Sequence, residues 1–104
     1  MAIMSDLTEK DIKVWLSTIT REQIIIDRHA LKRSRLRGLS EEIVRDFLIE
    51  RRYEKIERKV TDDNLTFEIS YSNPDKSMKT TIVIIVMPVD IPKKIIKVVT
   101  IIND

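Results

Sequence analysis

At about residue 54 the apolar residues of this chain change period from 3.6 to 2, and that switch limits the fold more than any other feature. Upstream, Ile12, Trp15, Leu16 and Ile19 recur at i, i+3, i+4 and i+7, the spacing of one helix face. Downstream, segments 55–60 and 65–71 alternate, separated by the turn sequence Thr61-Asp62-Asp63-Asn64. Helices first and strands last segregate into an α+β domain rather than interleaving into an α/β one. The 104 residues suffice for one core, so a single domain over 1–104 is expected.

Local signals fill in this outline. Thr8 with Asp11 three residues on forms a capping-box pattern that opens a first helix within 5–19, packed onto the body by Trp15. Residues 23–27, Gln-Ile-Ile-Ile-Asp, read either as a strand or as the start of a helix. A short basic helix then stops at Gly38, the only glycine, where a left-handed C-cap is wanted. Ser40 caps the next helix, with Glu41 and Glu42 in its first turn, Arg51 and Arg52 near its end, and Ile43, Val44, Phe47 and Leu48 as its expected buried face. After the turn Ser72-Asn73-Pro74-Asp75-Lys76-Ser77, a third strand over 79–87 is apolar enough to be central and covered on both faces. Pro88 and Pro92 are expected to bracket a connection, and 94–102 reads as the last strand. The architecture is then N-terminal helices followed by a four-stranded antiparallel sheet, five-stranded if 23–27 joins it.

Composition removes most chemistries. No cysteine means no disulfide, thiolate nucleophile or Cys-based metal centre, and one histidine cannot build a multi-His metal site. One glycine excludes a phosphate loop and a dinucleotide fingerprint. Asp62 and Asp63 read as a turn, with no second acidic cluster nearby to complete a cation site. The longest apolar run, 82–89, contains Pro88 and falls far short of the ~20 residues that span a membrane. The first six residues lack a secretory pattern. The expectation is a cytoplasmic protein with no metal, no cofactor and no membrane partner.

The net charge of +2 conceals a concentrated positive segment. Residues 28–37 hold five cations and no acid; subtracting that +5 leaves the other 94 residues at −3. Such a stripe is the usual footprint of a polyanion ligand. On a helix, His29, Arg33 and Arg37 lie four residues apart and share a face, while Arg28, Lys32 and Arg35 form a flanking row suited to RNA binding. An imidazole beside guanidiniums suits metal-independent cleavage of RNA, with His29 as base or acid and Arg33 and Arg37 forked onto the phosphate. The same stripe also suits a non-catalytic nucleic-acid-binding face, a protein-interaction module that docks an acidic partner, or a plain solvated surface. Thr100 interrupts the apolar last strand and would face the core or a site; Tyr53 and Tyr71 read as structural.

The run Ile24-Ile25-Ile26-Asp27-Arg28-His29-Ala30-Leu31-Lys32-Arg33, followed by Arg37-Gly38-Leu39-Ser40 and the ending Val98-Val99-Thr100, resembles a small prokaryotic domain family of unknown function. That family is similar to the BrnT and RelE-type toxins, α+β ribonucleases paired with an antitoxin. The resemblance covers roughly 23–102 and leaves the helix at 5–19 as an addition. It implies a RelE-like fold, a toxin–antitoxin role as an endoribonuclease, and a site of His29, Arg33, Arg37 and Thr100. It also implies RNA and an antitoxin protein as partners. The isoleucine-rich last strand could in addition pair edge to edge in a homodimer.

Overall fold

A computed structural model describes residues 6–61, 64–72 and 81–103 of the chain. Helix α1 covers Glu9–Thr18, and a 3₁₀ turn over Arg21–Gln23 leads into strand β1, Ile24–Ile26. Helices α2, Arg28–Leu36, and α3, Glu41–Glu50, follow. Strands β2, Lys55–Thr61, β3, Asn64–Ser72, β4, Thr81–Asp90, and β5, Ile95–Asn103, complete the chain. The acidic pair Asp62 and Asp63, the turn at 73–77 and the expected start of the third strand at Lys79 lie outside the described residues.

The strands form one sheet in the order β1-β5-β4-β3-β2. β2 to β5 run as the expected antiparallel meander. β1 joins as a fifth strand, parallel to β5, with Ile24 opposite Ile96 and Ile26 opposite Val98. The sheet is therefore mixed, not wholly antiparallel. The reason lies in connectivity: everything from α2 to β4 separates β1 from β5, and a long crossover permits the parallel pairing that a hairpin forbids.

All three helices lie on one face. Ile12 and Leu16 of α1, Ala30 of α2 and Val44 and Leu48 of α3 meet Phe67, Ile69, Tyr71, Ile84, Val86, Ile96, Val98 and Ile101 of the strands in a single core. The caps act as expected. Thr8 N–H donates to the Asp11 carboxylate at 2.8 Å while Asp11 N–H donates to Thr8 Oγ1 at 3.3 Å, and Ser40 Oγ accepts from Ile43 N–H at 3.2 Å. Ile43 does not join the buried face of α3 and is 38% exposed, because it sits about 100° around the helix from Val44. Arg51 ends α3 in the left-handed region (φ 54°) and its Nη1 donates to the Ser17 carbonyl at 3.3 Å, placing a cation at the C-terminal end of α1. Arg21 fastens the 3₁₀ turn to α3 through Glu42 at 2.7 Å and Asp46.

Two expectations about β4 are corrected. It is central in hydrogen bonding, between β3 and β5, but the helices cover only one of its faces. Ile82, Ile84 and Val86 belong to the core, whereas Ile85 and Met87 are half-buried on the other side. On that other side Val83 is only 7% exposed while Ile85 and Met87 are half-buried, so the apolar character of β4 serves a face on which no described helix packs. Pro88 lies inside β4, opposite Ile96, and the connection to β5 is 91–94. The proline is tolerated because the ladder to β3 stops at the Phe67–Val86 pair, so no amide is needed on that side.

At the end of α3, Phe47 stacks on Tyr71 with centroids 5.2 Å apart, and Tyr53 meets Tyr71 edge-on at 6.5 Å. The Tyr71 hydroxyl is buried with no hydrogen-bond partner among the described residues, and burial pushes its ionisation well above the ordinary tyrosine range. Tyr71→Phe is therefore expected to raise stability by about 1 kcal/mol in urea unfolding, since it removes an unsatisfied donor. The phenol can ionise only in the unfolded chain, so wild-type stability should be intact below the ordinary pKa of about 10 and decline above it. In Tyr71→Phe that part of the alkaline decline should disappear.

Candidate functional site

Helix α2 carries the basic segment, and its position follows from the residues on either side. Asp27 N–H donates to the Val98 carbonyl at 3.0 Å, continuing the β1–β5 pairing by one bond. The Asp27 carboxylate then caps the helix, accepting from His29 N–H at 3.2 Å. At the other end Gly38 (φ 71°) donates to the Arg35 carbonyl at 3.1 Å and Leu39 N–H to the Ser34 carbonyl at 2.8 Å, the paired bonds of a Schellman motif. Only Ala30 and Ser34 are buried, one turn apart. Their small side chains let the helix lie close on β5, and Ser34 Oγ is satisfied by the Leu31 carbonyl at 2.8 Å. Sequence reasoning passed over Ser34; its spacing of four from Ala30 was the signal.

At about 100° per residue, the narrow buried stripe leaves most of the circumference to water. Arg28, Lys32 and Arg35 lie opposite Ala30 and Ser34 and are exposed. With Leu31 and Leu36 they line a shallow hollow of about 390 Å³. Leu36 is 74% exposed. The hollow thus belongs to the flanking row together with two leucines, and none of His29, Arg33, Arg37 or Thr100 lines it.

His29 and Arg33 are exposed neighbours on the shoulder of the helix, one turn apart. Arg37 does not extend with them. It is half-buried beside the core stripe, its Nη1 donates to the Arg33 carbonyl at 3.4 Å, and its Nε is buried without a partner among the described residues. That guanidinium serves the helix C-terminus, where a cation is favoured.

Thr100 lies elsewhere. Val98 pairs with Val86, but Thr100 pairs with Ile85, so Val99 is an extra residue and β5 bulges there. Without the bulge, alternation would put Thr100 on the face of Ile96 and Val98, under the helices. With it, Ile101 takes the core position and Thr100 turns to the face opposite α2. The apolar-apolar-Thr ending carried no sign of this shift.

Six ion pairs occur among the described residues, made by Arg21 (twice), Arg45, Arg52, Lys59 and Lys97. Every one uses a cation outside α2. Among the described residues no carboxylate pairs with the solvent-facing cations of α2, so their potentials add and extend about a Debye length, ~8 Å at physiological salt. Among the described residues no three His, Asp or Glu side chains converge as a metal site, and no helix is long and apolar enough to cross a membrane.

No family model, no curated protein and no solved structure matches this chain.

Two measurements check this account of α2. Gly38→Ala should cost about 1 kcal/mol, for purely conformational reasons, since no atom stands within 4 Å of the added methyl. Lys32→Ala and Arg35→Ala should leave the urea midpoint unchanged or raise it, because each removes like-charge repulsion and no bond. A marked loss of stability in either would show that these side chains hold the fold.

Proposed function

We propose that α2 is a phosphate-binding face for RNA and that the chain acts as a non-catalytic binding module. The supporting observation is the segregation of charge: Arg28, Lys32, Arg33 and Arg35 are exposed along one helix and have no ion-pair partner among the described residues. Phosphate oxygens are the ligands that such a row satisfies, and Arg adds forked hydrogen bonds to the charge attraction. With five aromatic residues in all, of which Trp15, Phe67 and Tyr71 are buried in the core, base stacking contributes little and recognition rests on the backbone.

Four cations on single-stranded RNA give a salt slope of about −3 in log affinity against log salt concentration. Each of Arg28→Ala, Lys32→Ala and Arg35→Ala should weaken binding to all sequences alike and flatten the slope by nearly one. Arg37→Ala should change binding little. Titration of fluorescent single-stranded RNA at several salt concentrations reads all of this, and failure to bind at low salt would overturn the reading.

A second reading keeps the ribonuclease activity that the toxin resemblance implies. It draws support from one observation, the exposure of His29 beside Arg33 on the same helix. His29 would act as base or acid and Arg33 would hold the phosphate, while Arg37 is turned back on the helix and Thr100 lies on the far face of the sheet. The two readings separate cleanly. Cleavage of RNA by wild type in the presence of chelator, lost in His29→Ala with binding retained, would establish the second. Binding without product at any pH would leave the first.

A further inference from the structure

The sheet face turned away from the helices has no described helix packed on it, and it is divided into two kinds of surface. On its β1–β5–β4 side stand Ile25, 45% exposed, Ile102, 38% exposed, the half-buried Ile85 and Met87, and Val83, 7% exposed. On the β3–β2 side the ladder places Glu68 directly opposite Glu57. Like charges in that position repel. Glu57 has Lys59 at 3.5 Å, whereas Glu68 has no ion pair among the described residues. Across β4, on β5, Lys97 reaches only a loose 4.0 Å contact with Asp27 and keeps 40% of its side chain exposed.

We propose that this face docks a second copy of the chain. A two-fold axis running along β4 puts β5 of each copy over β3 of the other, so Lys97 of each meets the partner's carboxylate on β3 and the apolar centre around Ile85 and Met87 closes on itself. Lys97 pairs with Met87 and Glu68 with Ile85, so the two charged rows lie one pleat repeat apart, about 7 Å along the strand. The roughly 30° rotation of face-packed sheets and the reach of a lysine span that offset. The pattern is self-complementary, which is what an isologous interface requires and what an arbitrary acidic or basic partner would not match. Four strands at about 4.8 Å with six residues along each, and the three-residue β1, give a footprint of about 430 Å² in projection. That is at the small end for specific interfaces, the size of a weak, reversible dimer. α2 stays on the outside of this dimer, so the inference stands independently of the RNA reading.

Sedimentation equilibrium on the full chain tests it. Wild type should pass from monomer to dimer across the micromolar range. Glu68→Lys and Lys97→Glu should each weaken dimerisation about tenfold while keeping the wild-type circular dichroism spectrum, and the double exchange should restore dimerisation. Ile85→Lys should abolish dimerisation at every concentration. A wild type that stays monomeric throughout overturns the proposal and leaves the face to a different partner. So does a double exchange that fails to recover what the single changes lose, or a dimer that Lys32→Glu on α2 disrupts instead.

Discussion

The parallel pairing of three isoleucines with β5 governs where the basic part of this molecule goes. Ile24 and Ile26 enter the core side of the sheet opposite Ile96 and Val98, and the Asp27 amide extends the ladder by one more bond to the Val98 carbonyl. The next side-chain act of the same residue is to cap α2. The first turn of the helix is thereby fixed over β5 within a single residue of the sheet. Without β1 the segment from 28 to 37 would be a highly charged peptide of nine helical residues, too short to hold helical structure by itself in water.

Electrostatics and packing divide the labour in this fold. Several cations outside α2 are engaged locally: Arg21 with α3, Arg51 with the end of α1, Arg45 with Glu41 one turn back. α2 is held by apolar contact of Ala30, by the buried Ser34 and by caps at both ends, none of which involves a guanidinium except Arg37. Concentrated like charge is destabilising in itself. Here it is tolerated because the groups are solvated and the helix is anchored from below.

Much of this was legible in the residues. Periodicity located the three helices and four of the strands, and Thr8, Ser40 and Gly38 marked their ends, because caps are local chemistry written in one or two side chains. The parallel placement of β1 was not legible, since three isoleucines suit a strand in either direction and the partner lies seventy residues away. Nor was the bulge at Val99. Alternation counted through it assigns Thr100 to the wrong face, and nothing in Val-Val-Thr distinguishes a bulged strand from a regular one. The far side of β4 was misread for a related reason: a strand with helices on both faces and one with described helices on a single face have the same composition. For the site, the row Arg28, Lys32 and Arg35 could be read from spacing alone, whereas the return of Arg37 to the helix end depends on how close its position lies to the buried stripe.

The narrowness of that stripe has a wider consequence. Two small residues and a pair of caps fasten α2, so its exposed positions can change identity without disturbing what lies beneath. The part of the molecule that chooses a ligand is thus decoupled from the part that keeps it folded. Related chains could exchange the cations for other surfaces, acquiring new recognition on an unaltered scaffold.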